Sequence, residues 1–146
     1  MTMTDLVGEL TTLLRAGTTS NVEQYWRDTP PEALTAYVQP KSMSGEGGVD
    51  LNSGVSGGTY FIRYNVDIVC EGPWKDEVGT YTDLDGLVEE IFTVIRANRD
   101  ITHSGAANCT NGRLEGVQYV YAQRPSTAAK TTWVGIVTAS WRTGSS

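Results

Sequence analysis

The residues of this chain that could act on a substrate are few: one histidine, His103; two cysteines, Cys70 and Cys109; and a run of carboxylates at Asp83, Asp85, Glu89 and Glu90. A hydrolytic triad needs a nucleophile, a base and an orienting carboxylate. His103 stands in a stretch of Thr, Ser, Gly and Ala that reads as a solvated loop, and no Gly-x-Ser-x-Gly elbow is present. The chain also lacks a Walker glycine-lysine signature, a dinucleotide fingerprint and a Cys-x-x-Cys or His-x-x-x-His pair for zinc. Asp50-Leu51-Asn52-Ser53-Gly54 has the opening of a calcium loop, but its fifth ligand position is Gly54 and the closing Glu is missing. The acidic run reads as carboxylates placed at the positive end of a helix dipole. Asn108-Cys109-Thr110 fits a glycosylation sequon, which matters only in a secreted protein. The expectation is therefore no catalytic residue, no cofactor and no metal.

The elements that hold these residues are organised around one stretch, Thr59 to Glu71. Tyr60, Ile62, Tyr64, Val66, Ile68 and Cys70 recur at period two, with Arg63, Asn65, Asp67 and Glu71 between them. That is the pattern of a long central strand with one buried and one wet face. At about 3.3 Å per residue it spans about 40 Å. Phe61 and Val69 interrupt the polar face, where a neighbouring chain could cover them. Cys70 falls on the apolar face, as a small buried hydrophobe with no reactive role.

Before this strand, Leu6, Val7, Leu10, Leu13 and Leu14 predict a helix from Thr4 to Ala16, with Thr4 as N-cap and Gly17 beyond its end. Thr18 to Glu32 reads as a polar connection tucked down by Tyr25 and Trp26. Ala33 to Gln39 reads as a strand stopped by Pro40. Lys41 to Gly58 then carries six glycines and four serines; so long a loop between strands points to a binding arm that orders against a partner, with Gly45, Val49, Leu51 and Val55 as its contacts.

After the strand, Leu84, Leu87, Val88, Ile91, Phe92 and Ile95 predict a second helix from Asp83 to Asn98, capped by Thr82. Asp100 to Gly112 is a small-residue loop ending in an Asn-Gly turn. Arg113 to Gln123 and Thr131 to Arg142 are strands of an antiparallel hairpin. In the last strand Trp133 and Trp141 share one face while Val134 and Ile136 lie on the other, so that strand looks covered twice, once by the core and once by something else. Thr143 to Ser146 reads as a frayed tail. The sum is a single α+β domain over residues 1–146: about four strands, mixed or antiparallel, with two helices on one face and a Gly/Ser-rich β-hairpin arm at 41–58.

At 146 residues and 15.8 kDa the chain buries a core without disulfides. A net charge of −6 with 11 scattered basic residues argues against a nucleic-acid grip, which needs clustered Lys and Arg. No apolar run reaches membrane-spanning length, and no signal peptide is read at Met-Thr-Met-Thr-Asp, so synthesis in the cytoplasm is expected.

The order helix, strand ending near Pro40, Gly/Ser-rich arm, long alternating strand, Asp83–Asn98 helix and closing hairpin resembles the tail terminator proteins of long, non-contractile-tailed bacteriophages. The resemblance covers nearly the whole chain in element order and length. It implies a structural virion protein of the neck, forming a hexameric ring on the tail tube that ends tube polymerisation and joins the head connector. The implied partners are further copies of the chain, the tail tube protein and a head–tail connector or stopper, with genomic DNA passing through the lumen unbound. Six copies at −6 each would carry about −36, which repels phosphate. In such a ring each subunit offers two different surfaces, for which Phe61, Val69, Trp133 and Trp141 stand out together with the arm. Two other readings stay open: a head–tail connector or head-completion protein, and, from a different class, a small α+β enzyme or ligand-binding module using the Asp100–Gly112 loop.

Overall fold

A computed structural model of the chain describes residues 1–46, 60–104, 108–123 and 131–145. The elements are α1 (Met3–Gly17), β1 (Asn21–Gln24), β2 (Thr35–Glu46), β3 (Tyr60–Glu71), α2 (Glu77–Ala97), β4 (Cys109–Gln123) and β5 (Thr131–Ser145). The five strands form one mixed sheet in the order β1-β2-β3-β5-β4, parallel between β1 and β2 and antiparallel elsewhere. The α+β class and the two helices are as expected, and the sheet has five strands where about four were read.

The helices begin earlier than their apolar stripes suggest, because the caps lie outside the stripes. Thr2, not Thr4, caps α1: its hydroxyl accepts from Asp5 N at 3.1 Å while the Asp5 carboxylate accepts from Thr2 N at 3.0 Å. Asp76, not Thr82, caps α2 by accepting from Gly79 N at 2.6 Å, and Thr82 instead bonds back to Val78 O inside the helix. The dipole role expected of Asp83, Asp85, Glu89 and Glu90 therefore belongs to Asp76 and Glu77.

The extra strand is β1, in the stretch read as a polar connection. Only Val22 of its four residues is buried, so it has no period-two signature of its own. Pro40 does not end β2: it sits just beyond the last β1 pair, at Val38, and the ladder to β3 shifts by one residue between Pro40 and Ser42. Asn111-Gly112 is a bulge inside β4, not a turn; Asn111 has φ 53° and Gly112 N donates to Arg99 O at 2.7 Å. Gly112 lies flat against the indole of Trp141, where a Cβ would overlap the ring. Thr143 to Ser145, read as frayed, pair with Tyr60 to Ile62.

Both helices pack on one face of the sheet. Leu6, Leu10 and Leu14 of α1 and Leu84, Leu87, Ile91 and Ile95 of α2 bury against Ala36, Val38, Val66, Ile68, Val137, Ala139 and Trp141. Gly17 lets the end of α1 close onto Val94 of α2. Trp141 is fully buried and its indole N–H donates to Asn98 O at 3.0 Å. No helix among the described residues is long and apolar enough to cross a membrane.

Candidate assembly surface

The helix-free face of the sheet carries the even residues of β5 and the odd residues of β3, and it divides into an apolar half and a polar half. Tyr37, Val69 and Val134 are buried at the β1–β2 end of that face, with Trp26, Val120 and Ile136 packed around them. Trp26 arrives there because Tyr25 takes a left-handed φ of 64° after β1 and bonds Val38 O through its N–H at 3.0 Å. The Trp26 indole N–H then donates to Glu71 Oε1 at 2.9 Å. The second cover over the last strand is thus supplied in part by the chain itself.

The polar half is a trough of about 390 Å³ lined by Lys41, Ser42, Ser44, Arg63, Asn65, Arg113, Glu115 and Thr138. The guanidinium of Arg63 is buried under it and donates to Ser140 Oγ at 2.8 Å and Asn111 O at 3.2 Å. The Ser140 hydroxyl in turn donates to Glu115 in a short hydrogen bond, and Arg113 Nε donates to the same carboxylate at 2.7 Å. These contacts, first Ser140 and then Arg113, hold the Glu115 carboxyl below its usual range. Thr138 donates to Asp67 at 2.7 Å, and Lys41 stands 3.8 Å from the same carboxylate. The face expected to be wet therefore buries Arg63, Val69 and Glu71, since partners on β4, β5 and the Trp26 segment cover them.

The residues singled out for contact fall in different places. Gly45 is exposed on β2. Phe61 is half-buried with the Arg142 guanidinium 4.4 Å from its ring centre. Trp133 is half-buried on the helix side against Tyr81 and Tyr121. Val69 and Trp141 are buried within the protomer. Val49, Leu51 and Val55 lie outside the described residues, as does the Asp50–Gly54 stretch.

His103 is not a solvated loop residue. Its Nδ1 lies 2.7 Å from Glu9 and its Nε2 3.5 Å from Asp5, so the loop is tied to α1 and both ring nitrogens face carboxylates. Cys70 is buried, and burial pushes its thiol up to about 12; Cys109 is likewise raised, to about 11. In the acidic run, Asp83 pairs with Lys75 at 2.8 Å, Asp85 accepts from the Tyr119 hydroxyl and Glu90 accepts from Thr19. Asp83, Asp85 and Glu90 thus help to hold the fold, while Glu89 is exposed. The open sheet face and the sheet edges are the surfaces the described residues offer for recognition.

No protein-family model matches the sequence, and no curated protein matches it. Among solved structures, the fold is similar to the sheath/tube terminator of PVC, an extracellular contractile injection system, seen by cryo-EM in the extended state. The TM-score is 0.53 at 13% sequence identity, over 99% of this chain and 56% of that one. The chain thus spans about half the length of that protein, and what the two share is the fold.

Proposed function

We propose that this protein is a structural subunit that closes the end of a phage or phage-like tail tube. The observation that carries the reading is the fold, which is similar over nearly the whole chain to a sheath/tube terminator. The arrangement of titratable groups supports it, since His103, Asp83, Asp85, Glu90 and Glu115 are engaged in internal hydrogen bonds and ion pairs. In this reading identical copies form a closed ring, six in number, seated on the last ring of tube protein. Tube growth stops there, and the opposite surface receives the head connector. The protein resides in the neck of the virion, acts without catalysis, and lets DNA pass a lumen with which it makes no specific bond. The acidic balance of the chain favours passage over binding.

Native mass spectrometry and negative-stain microscopy of the purified chain test the ring directly. A uniform annular species of six copies supports the proposal, and a monomer at all concentrations overturns it. Particles assembled without the protein should carry tubes of uncontrolled length; tubes of normal length would equally overturn it.

A further inference from the structure

The two edges of the sheet are each closed over one half only, and the open halves lie diagonally opposite. Gln39, Asp67, Thr138 and Gly116 pair in one row across β2, β3, β5 and β4. On one side of that row β1 covers β2 from Thr35 to Val38, while β4 from Gly116 to Gln123 has no strand on its outer side among the described residues. On the other side Ile101 and Arg99 bond Cys109 and Gly112 of β4, while β2 from Ser42 to Glu46 has no strand on its outer side among the described residues.

Sheet proteins guard open edges with charge, proline or bulges. On β2 the Pro40 bulge and Lys41 do so next to β1, and the strand beyond them carries neither charge nor proline until Glu46 at its end. The open half of β4 reads Gly-Val-Gln-Tyr-Val-Tyr-Ala-Gln, with no charge and no proline. An unguarded strand of this composition calls for a partner strand.

We infer that the open half of β4 pairs with Ser42–Glu46 of β2 in a second copy of this chain, continuing the sheet from subunit to subunit. Three features select that occupant. β4 runs antiparallel to β2 in the sheet order, so side-by-side copies with their helices on the same side meet with antiparallel edges. The exposed apolar residues of the two edges lie on the same, helix-facing side: Met43 (64% exposed) on one, Val117 (37%) and Tyr121 (53%) on the other. On the opposite side Ser42 and Ser44 face the row of Gln118 and Val120, of which Val120 is packed into its own protomer's cluster, so apolar meets apolar on one side and polar meets Gln118 on the other. Because the open halves are diagonal, successive copies shift along the strands by roughly 20–25 Å, which is the stagger a closed, tilted sheet requires. This assignment rests on the ring reading and names the contact within it.

Cysteine pairs test the seam in the full-length protein, whose own Cys70 and Cys109 are buried. Ser42→Cys or Ser44→Cys combined with Gln118→Cys or Val120→Cys should yield, on oxidation, a ladder of covalent multimers ending at the ring. The single variants should not crosslink. Independently, Val117→Lys with Tyr121→Lys should abolish the ring while leaving the thermal melt and far-UV spectrum of a folded protomer. An intact wild-type ring with neither effect overturns the seam and leaves the ring standing. Crosslinking of the Gln118→Cys variant with itself overturns the seam in favour of a two-fold β4–β4 pairing. A wild-type chain that stays monomeric overturns both.

Discussion

Glu115 is the pivot of the polar trough, because Ser140, Arg113 and through Ser140 the buried Arg63 all lean on its charge. A carboxyl held below its usual range in the folded state stabilises the fold above its unfolded value, about 4.3, and loses that contribution as pH falls through the lowered folded value. Glu115→Gln should therefore cost on the order of 1 kcal/mol at neutral pH, discounted for partial exposure, and the two proteins should converge as the pH falls through the lowered folded value of the carboxyl. Thermal melts across that range check the sign. Gly112→Ala acts differently: its new methyl group meets the fully buried Trp141, so it should destabilise by about 1–3 kcal/mol at any pH, measured by denaturant unfolding. Residue types told which side chains were apolar, but not that Arg63 and Glu71 are buried. Their partners, Ser140 and Trp26, come from positions 77 and 45 residues away in sequence, and no local pattern reports such a pairing.

At the scale of elements, α2 carries an anomaly that its packing does not explain. Gly86 sits mid-helix on the exposed side, and a Cβ built there meets nothing within 4 Å. Gly86→Ala should raise stability by about 1 kcal/mol through helix propensity alone, read as an increase in melting temperature. The apolar stripes of α1 and α2 and the alternation of β3 were legible because each buries one face against one layer. What was not legible had no stripe. β1 owes its place to Val22 and to its backbone bonds with β2, and the first turns of α2 hold Gly79 and Thr80 in place of a periodic apolar residue. Pro40 looked like a stop, and it is tolerated only because β1 has already ended and the ladder bulges there.

For the whole molecule, residues 47–59 join two strands already paired at Glu46 and Phe61. Replacing them with a short Asn-Gly turn should leave the melting temperature within a few degrees, since shortening a loop lowers its closure cost only slowly. If that segment is the arm that grips a partner, the shortened protein should still form rings and yet fail to cosediment with tail tubes; normal cosedimentation would count against the arm. The class of fold could be argued from sequence. The location of the contact surfaces could not, because Val69 and Trp141 read as spare apolar area until Trp26 and Gly112 were seen to close over them. The edges that matter are defined by what β1 and residues 99–101 leave uncovered, which is a property of the assembled sheet.

The four tryptophans stand in distinct optical environments. Trp141 is sealed and bonded to a backbone carbonyl, whereas Trp74 is largely in water. A variant keeping only the first should emit in the blue and resist iodide, shifting red on denaturation; one keeping only the second should be quenched from the outset. Loss of subunit structure can then be followed by colour alone, separately from any change in how many copies hold together.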